Sequence, residues 1–377
     1  MMLRHKKLLW VLLCITASVG MAAAGEPSGF LSVTGPCRLE FPRDHAPHPG
    51  FRTEWWYWTG NLKSETGRQF GFQLTFFRHQ LTPFGGAAEW PEPRSAWRSR
   101  QIYLGHAALS DLSAKRHFQA EQVGREALGL GGWVQWGPDV TFFLRDWSAV
   151  ILPEAQHLKA GGEGFSFSLE LKPAKEPVPH GIDGYSRKGS TPERASCYYS
   201  FSRLETKGSV TVAGKSIPVQ GVSWMDHEFS TAPLEPGIVG WDWFSIHLSD
   251  KTEIMLYLLR TEGGGIHPAS SGSYIDASGA LRHLDRGYFE IDVMDTWKSK
   301  QSGATYPSRW RLNIPLLGIE LGLVSNLPDQ EMRTAGSTGA TYWEGSVSVN
   351  GSKGGSPVDG NGYVEMTGYA EPMTSLK

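Results

Sequence analysis

The feature that most constrains this fold is a strict alternation of apolar and polar side chains in many short segments. Residues 165–172 read Phe-Ser-Phe-Ser-Leu-Glu-Leu-Lys, so an extended chain would present apolar side chains on one face and polar ones on the other. Residues 70–76 and 244–249 alternate in the same way. Turn residues separate these segments, a pattern typical of antiparallel barrels or sandwiches. No long segment has helical periodicity, so the sequence predicts an all-β protein.

A weak internal repeat indicates two copies of one β unit. Residues 208–226 and 345–365 each contain a hairpin pattern followed by a glycine, an aromatic residue and a carboxylate. Residues 55–78 and 241–260 each begin with an aromatic-rich strand and end at an arginine. Two similar units, one after the other, would explain both pairs.

The length of the chain also favours two domains. A mature chain of about 350 residues exceeds one ordinary hydrophobic core. We place an N-terminal β-barrel domain over residues 25–220 and a C-terminal one over residues 221–377. The chain contains 15 tryptophans and 45 glycines, and 12% of its residues are aromatic. This composition favours turn-rich β domains with wide interiors lined by aromatic side chains.

The first 24 residues are typical of an export signal. Three basic residues within positions 4–7 precede a mostly apolar stretch over residues 8–20, and the alanines at 22–24 supply the small side chains that a signal peptidase needs. The apolar stretch is short for a membrane span. We predict cleavage near Ala24, a periplasmic or secreted location, and no transmembrane segment in the mature chain.

The charge and cysteine content of the mature chain exclude several classes of protein. Without the signal, 33 of the 36 basic residues remain against 38 acidic ones, a net charge near −5 with no basic run. Nucleic acid is therefore not an expected partner. Cys37 and Cys197 are the cysteines that remain, and they could form one disulfide in an oxidising compartment. Their spacing is not that of a cysteine-based zinc site.

The sharpest candidate site is the segment Trp224-Met-Asp226-His227-Glu228. On a strand, Trp224, Asp226 and Glu228 share one face, and His227 lies on the other. Burial beside an indole would raise the pKa of the Asp226 carboxyl, which could then donate a proton near neutral pH. We predict that Asp226 and His227 are catalytic, with His227 as a base or proton relay. The alternative is that both side chains bind backbone groups at a barrel rim.

Two further carboxylates stand among tryptophans. Asp242 is predicted to be catalytic because it shares a strand face with apolar residues, while Glu54 precedes an aromatic run. The alternative for each is an ion pair with Arg78 or Arg260, and we favour it for Glu54 because a buried acid usually has a partner. The predicted substrate-binding residues flank these carboxyls and are Glu54, Trp56, Tyr57, Tyr185, Trp224, Trp241, Trp243 and Tyr257.

The sequence contains residue types used in metal binding and in nucleophilic catalysis, but not the spacing that either function requires. His227, His247 and Glu228 are the residue types of a catalytic zinc site, but no helical spacing enforces such a site, and we predict no metal or other cofactor. A loop rich in proline and glycine over residues 173–194 includes Tyr185 and has the length of a lid or binding rim. It lacks the Gly-x-Ser-x-Gly pattern of a hydrolase nucleophile.

Six segments, in order along the chain, resemble those of the carotenoid 1,2-hydratase (CrtC/AttH-like) family, especially its secreted branch described as predicted hydrolases. They are residues 48–57, 67–78, 184–189, 221–229, 240–244 and 362–369. The resemblance implies two consecutive lipocalin-like antiparallel β-barrels with little helix, and a cavity for a largely apolar ligand. The founding activity of that family is hydration of an isolated carbon–carbon double bond at the end of a carotenoid.

One departure from the family concerns the proton donor. Its carotenoid hydratases carry a further acidic residue on a strand after the Asp-His motif. The matching stretch here, residues 253–260, offers Glu253 and Tyr257 in that role. The resemblance therefore predicts the fold, while the substrate stays open.

We predict an exported hydratase or hydrolase that acts on an isoprenoid- or lipid-like substrate in a barrel cavity by carboxylic-acid catalysis. The alternative is a periplasmic carrier of a hydrophobic small molecule that serves an ABC transporter, which abundant aromatic side chains would also suit. The side chains of Asp226 and Asp242 distinguish the two hypotheses. If both point into one apolar cavity, catalysis is favoured, and if arginines bind them, carriage is favoured.

Overall fold

The computed structural model describes residues 29–83 and 95–373, and almost all of the regular structure in these ranges is β. The helical part consists of four 3₁₀ helices of three residues each, at Arg43–His45, Ala127–Gly129, Arg286–Tyr288 and Pro315–Leu317. The predicted signal peptide, residues 1–24, lies outside the described ranges. Within them, no helix has the length and hydropathy to cross a membrane.

The first thirteen strands form one antiparallel sheet. They are β1 Thr53–Lys63, β2 Gln69–Gln80, β3 Gln101–Asp111, β4 Arg116–Arg125, β5 Gly131–Trp136, β6 Asp139–Leu144, β7 Trp147–Ile151, β8 Gln156–Gly162, β9 Phe165–Pro173, β10 Val178–Pro179, β11 Tyr185–Arg187, β12 Ala195–Val212 and β13 Lys215–Ser230. The strand order is β4-β3-β2-β1-β13-β12-β9-β8-β7-β6-β5, and β10 and β11 also pair with β12. The sheet curls until its edge strands β4 and β5 contact each other, so it forms a nearly closed barrel.

The remaining ten strands form a second antiparallel sheet. They are β14 Ile238–Leu248, β15 Glu253–Thr261, β16 Ser271–Ile275, β17 Leu281–Asp285, β18 Glu290–Lys298, β19 Thr305–Ile314, β20 Ile319–Ser325, β21 Glu331–Arg333, β22 Thr341–Lys353 and β23 Ser356–Met366. The order is β17-β16-β15-β14-β23-β22-β20-β19-β18, with β21 paired to β22. This sheet is also curled and barrel-like. The predicted fold class, two antiparallel β-barrels with little helix, is confirmed.

The chain passes from the first sheet to the second between Ser230 and Ile238. The predicted domain boundary at residues 220 and 221 falls inside β13, which pairs along its length with β1 and β12 of the first sheet. The change of sheet therefore comes later than the predicted boundary, and the strand that carries Asp226 belongs to the first barrel. That the two barrels are separate domains stays a prediction.

Each barrel interior holds its own packed aromatic and aliphatic core. In the first barrel, Trp56 and Phe142 pack with their ring centroids 4.2 Å apart, and in the second Phe244 and Trp310 lie 5.8 Å apart. Aromatic pairs at these distances add about 0.5–1.5 kcal/mol beyond the burial of their area. Trp56, which was expected to contact a ligand, instead packs against Phe142 in the core of the first barrel.

The segment before β1 is tied to the first barrel. A disulfide joins Cys37 to Cys197 on β12, so the pairing that the sequence allows is present. Trp56 donates its indole N–H to the carbonyl of His45 at 3.1 Å, and the imidazole of His45 lies 2.7 Å from the hydroxyl of Tyr199. These contacts fix the segment against the barrel near the start of β1.

A third buried cluster lies between the two sheets. The first sheet contributes Tyr57, Tyr198 and Trp224, and the second contributes Trp243 and Tyr363. We call this layer the seam and define it by these five residues and the side chains in contact with them. Its strands are buried on both faces, because one face supports a barrel core and the other supports the seam.

A glycine sets how closely the sheets approach each other. A Cβ atom at Gly71 on β2 would lie 2.9 Å from the Cβ of Ser346 and 3.4 Å from the ring of Tyr363, both on the second sheet. We expect Gly71→Ala to lower the free energy of unfolding by about 1–3 kcal/mol, the usual range for overpacking a close contact. Denaturant titration measures this change. Gly263→Ala is the control, because a Cβ there meets nothing within 4 Å. Equal stability of the two variants would mean that the sheets can move apart without loss.

Candidate active site

Asp226 lies on the seam face of β13. Its neighbours alternate as the sequence predicts, because Trp224 lies on the same face as Asp226, while Met225 and His227 point into the first barrel. The side chain of Asp226 is buried at 4% exposure. The predicted acid therefore lies between the barrels, not inside either of them.

Three donors surround the Asp226 carboxylate. Tyr198 donates its hydroxyl at 2.8 Å and Trp224 its indole N–H at 2.5 Å, and the Ser200 hydroxyl donates a third bond. Trp243 in turn donates its indole N–H to the Tyr198 hydroxyl at 3.1 Å. Burial raises the pKa of Asp226 to about 7, although the three hydrogen bonds favour the ionised form. A carboxyl with this pKa can transfer a proton near neutral pH.

The second barrel adds two carboxyls to the same seam. Glu344 on β22 and Glu365 on β23 are register partners; Glu344 is buried and Glu365 is half-buried. Trp241 donates its indole N–H to Glu365 at 2.9 Å, and the Tyr57 hydroxyl donates to Glu344. Burial raises the pKa of Glu365 to about 7 and that of Glu344 well above its usual value. The first barrel therefore contributes one carboxyl, and the second barrel two, that hold a proton unusually well.

A lysine brings positive charge to this region. Lys188, just after β11, lies 3.2 Å from a carboxylate oxygen of Glu228 and 4.0 Å from the ring centroid of Tyr257. The carboxylate of Glu228 keeps the pKa of Lys188 above its usual value against the opposing effect of burial. The Tyr257 hydroxyl, a predicted substrate contact, donates to the carbonyl of Arg187 at 2.7 Å. The loop over residues 173–194 thus supplies part of the seam.

Asp242 lies away from this cluster. It points into the second barrel, where Arg260 donates to it at 2.9 Å and the Tyr369 hydroxyl donates at 3.0 Å. Burial raises the pKa of Asp242, and the arginine opposes that effect. Asp226 and Asp242 therefore do not share a cavity, and Asp242 has the ion pair that the sequence left as an alternative.

Glu54 and His227 form a separate network inside the first barrel. Arg78 donates to Glu54 at 2.8 Å, and the imidazoles of His48 and His227 each lie 2.8 Å from the same carboxylate. Burial would raise the pKa of Glu54, but Arg78 and His48 keep it well below its usual value. His227 thus points away from Asp226, so the two predicted catalytic neighbours lie on opposite faces of β13.

The residues considered for zinc are not brought together. His247 binds the carbonyl of Ser202 at 2.8 Å, and burial lowers its pKa to about 3, whereas His227 is in the first barrel. Within the described ranges, His48, Glu54 and His227 do place possible ligand atoms within 4.8 Å of one another. Arg78 already neutralises Glu54 there.

The other predicted substrate contacts divide between three places. Tyr57, Trp224, Trp241, Trp243 and Tyr257 lie at the seam. Trp56 belongs to the core of the first barrel. Tyr185 packs near the disulfide and donates its hydroxyl to the carbonyl of Pro192.

The sequence interpretation did not select four residues of the seam as site residues: Tyr198, Lys188, Glu344 and Glu365. Glu365 had a signal, because the internal repeat aligns it with Asp226. Lys188 lies in the segment 184–189, which resembles the family, and in the loop expected to form a binding rim, while Tyr198 and Glu344 had no comparable signal.

Glu365 gives the protein a testable pH dependence. Its pKa is raised from 4.5 to about 7, so the folded protein binds a proton that the unfolded chain releases between these values. The destabilisation from Glu365 is absent below pH 4.5 and complete above about pH 7. Relative to Glu365→Gln, we expect the wild type to lose up to about 1.4 kcal/mol per pH unit across this window. Denaturant titrations at several pH values measure the difference, and Glu320→Gln on the surface is the control. Parallel curves for wild type and Glu365→Gln would contradict the raised pKa.

The fold and the seam define a class of double-barrel β proteins with buried carboxyl groups between the barrels. The family model described as AttH-like matches residues 32–369, and the chain belongs to that family.

Two solved structures resemble the chain over most of its length. The candidate AttH of Nitrosomonas europaea is 32% identical, with a TM-score of 0.78 over 90% of this chain and 100% of that one. Kievitone hydratase of Nectria haematococca is 17% identical, with a TM-score of 0.65 over 92% of this chain and 97% of that one. The second likeness concerns the fold alone.

Curated relatives match over shorter stretches. Kievitone hydratase of Fusarium solani subsp. phaseoli is 30% identical over 180 residues, which are 45% of this chain and 48% of that protein. Dehydratase asqC of Emericella nidulans is 20% identical over 208 residues, which are 53% of this chain and 58% of that protein. The chain thus spans about half the length of the curated relatives it matches.

Proposed function

We propose that this protein is a hydratase that adds water to a carbon–carbon double bond of a largely apolar small molecule bound at the seam. The observation that carries the proposal is Asp226, a buried carboxyl with a pKa of about 7. It accepts from the indole of Trp224 and from Tyr198, to which the indole of Trp243 donates. A kievitone hydratase among the relatives supports the same reaction type. The reverse reaction, loss of water, would use the same groups.

The proposed chemistry begins with the protonated Asp226 carboxyl. Its proton passes to one alkene carbon, where a C–H bond forms as the π bond breaks, and the other carbon becomes cationic. The faces of Trp224 and Trp243 stabilise this positive charge. The oxygen of a water molecule then forms the C–O bond, and the proton that it loses returns to the Asp226 carboxylate. The sum is one alkene and one water giving one alcohol.

The surroundings of Asp226 favour an isoprenoid- or lipid-like substrate. Tyr57, Trp241, Trp243 and Tyr257 supply large apolar surfaces with polar edges, which suit a mainly hydrocarbon ligand that carries an oxygen. We also propose that the protein works in the periplasm or outside the cell. The disulfide between Cys37 and the β12 strand supports this location, because such bonds persist in oxidising compartments.

A mass assay tests the proposed function. The purified mature protein is incubated with kievitone and, separately, with a linear carotenoid, in oxygen-labelled water. We expect a product heavier by one labelled water from at least one of them. Native mass spectrometry of protein taken from its own envelope then identifies any molecule already bound. A ligand that is bound tightly and released unchanged, with no product from any substrate, would contradict a hydratase and favour a carrier serving an ABC transporter.

A further inference from the structure

Four buried polar groups at the seam have no hydrogen-bond partner within the described part of the chain. They are Thr59 Oγ1, Gln73 Oε1, Glu344 Oε2 and Tyr363 Oη, and we call them the quartet. None of the four residues is more than 1% exposed. An unpaired buried polar group costs about 1–3 kcal/mol. Protein interiors normally satisfy such groups with a partner or with an ordered water.

The first sheet contributes two members of the quartet side by side. Thr59 on β1 and Gln73 on β2 are register partners, so their side chains lie next to each other on the seam face. Tyr363 reaches the same place from the second sheet, because its ring lies 3.4 Å from the position of a Cβ at Gly71. Gly71 is two residues before Gln73 and so lies on the same face of β2.

Glu344 joins the group through Tyr57. The Tyr57 hydroxyl donates to one oxygen of Glu344 and leaves Oε2 without a partner, and Tyr57 is two residues before Thr59 on the same face of β1. Glu344 and Tyr363 are diagonal neighbours across β22 and β23. These relations place the four groups on facing parts of the two sheets, so both barrels contribute to the quartet.

The chemistry of the quartet suits a neutral oxygen atom. The two hydroxyls both donate and accept, and the Gln73 carbonyl accepts. Burial raises the pKa of the Glu344 carboxyl well above its usual value and so favours the protonated form, in which its free oxygen can carry a donor proton. No member of the quartet carries a full charge in this state. The set therefore matches water or an alcohol hydroxyl better than an ion.

We propose that the quartet binds the water molecule that the hydratase adds, and later the hydroxyl of the product. This inference rests on the proposed function. Asp226 lies close by, because it is the register partner of Tyr57, which contacts Glu344. The acid and the water would thus approach the double bond from neighbouring positions on the seam. Glu344 and Tyr363 act as positioning residues for the water.

A crystal structure of the mature protein without substrate is the first test. We expect an ordered water within about 2.6–3.2 Å of at least two quartet atoms. With the alcohol product bound, its hydroxyl should replace that water. A quartet that holds no water and no product oxygen would overturn the inference. This test needs no turnover, so it is independent of the rate assay.

Tyr363→Phe is the second test, because it removes one quartet atom and keeps the ring. With the substrate identified by the mass assay, we expect kcat to fall about tenfold to a hundredfold, the effect of losing one hydrogen bond to the reacting water, while KM stays unchanged. Thermal stability should stay equal or rise, since a buried hydroxyl without a protein partner is removed.

The control for this test is Tyr103→Phe. Tyr103 is a buried tyrosine of the first barrel whose hydroxyl donates to Gln101 at 2.6 Å, so its variant should lose stability and keep kcat. An active wild type whose Tyr363→Phe variant has the same kcat would overturn the water site and leave the proposed function standing. An inactive wild type that still holds the water would instead count against the proposed function.

Discussion

Asp226→Asn is expected to lower the hydration rate by about 10²–10⁴-fold, the usual contribution of a general acid. The amide oxygen can take the place of Oδ1 and still accept from Trp224 and Ser200, and the amide NH2 can donate to the oxygen of Tyr198. The seam should therefore keep its shape, but the amide has no acidic proton to give to the alkene. Turnover of the substrate found by the mass assay measures the effect. Because the acid form of Asp226 is required, wild-type activity should fall as the pH rises through about 7.

The matched control is Asp111→Asn. Asp111 is another fully buried aspartate of the first sheet, but it pairs with Arg68 and lies at the far end of β3. Its variant should keep the hydration rate even if it loses stability. Full activity in Asp226→Asn would mean that another seam carboxyl gives the proton. It would then remove Asp226 from the mechanism.

Arg78→Leu is expected to lower the free energy of unfolding by about 3–5 kcal/mol, the usual effect of breaking a buried ion pair. Arg78 and Glu54 are both without exposed side-chain area, and the arginine also donates to the carbonyls of His48 and Phe51. Its loss leaves a buried carboxylate and two carbonyls short of donors. Denaturant titration followed by tryptophan fluorescence measures the change.

A double variant distinguishes the contribution of the ion pair to stability from the contribution of side-chain packing. Glu54→Leu combined with Arg78→Leu removes both charges, so it should recover much of the stability lost in Arg78→Leu alone. Arg309→Leu removes an exposed arginine that lies 4.0 Å from Asp295, and should change stability by less than about 1 kcal/mol. If the double variant were no more stable than Arg78→Leu, the charge of Glu54 would not be the cause.

The strands and their faces could largely be predicted from side-chain alternation. The segment 165–172 forms β9 with its apolar residues buried and its polar ones more exposed, as the pattern requires. The alternation at Trp224, Asp226 and His227 also gives the correct faces of β13. Period-two patterns are reliable here because each strand must present one face to an apolar core.

The sequence does not show which face of a central strand points into its barrel and which points into the seam, because both faces are buried. Alternation separates Asp242 from Trp243, but it does not say which of them points into the barrel and which into the seam. The proximity of Asp226 to Glu344 was also beyond reach, since the two residues are more than a hundred positions apart and sequence spacing does not give distance. The internal repeat, which aligns Glu365 with Asp226, was the available signal for a second carboxyl.

The double burial of these strands separates the residues that pack the barrel cores from those that would meet the ligand in the proposed function. Along β1 and β13, Trp56 and Met225 belong to the barrel core, while their neighbours Tyr57 and Trp224 belong to the seam. Selection for a new substrate can therefore change the seam-facing residues of a strand while the core-facing residues between them stay constant. Mutant libraries built on this protein should vary the residues of these strands that face the seam and leave unchanged the alternate residues that face the barrel core.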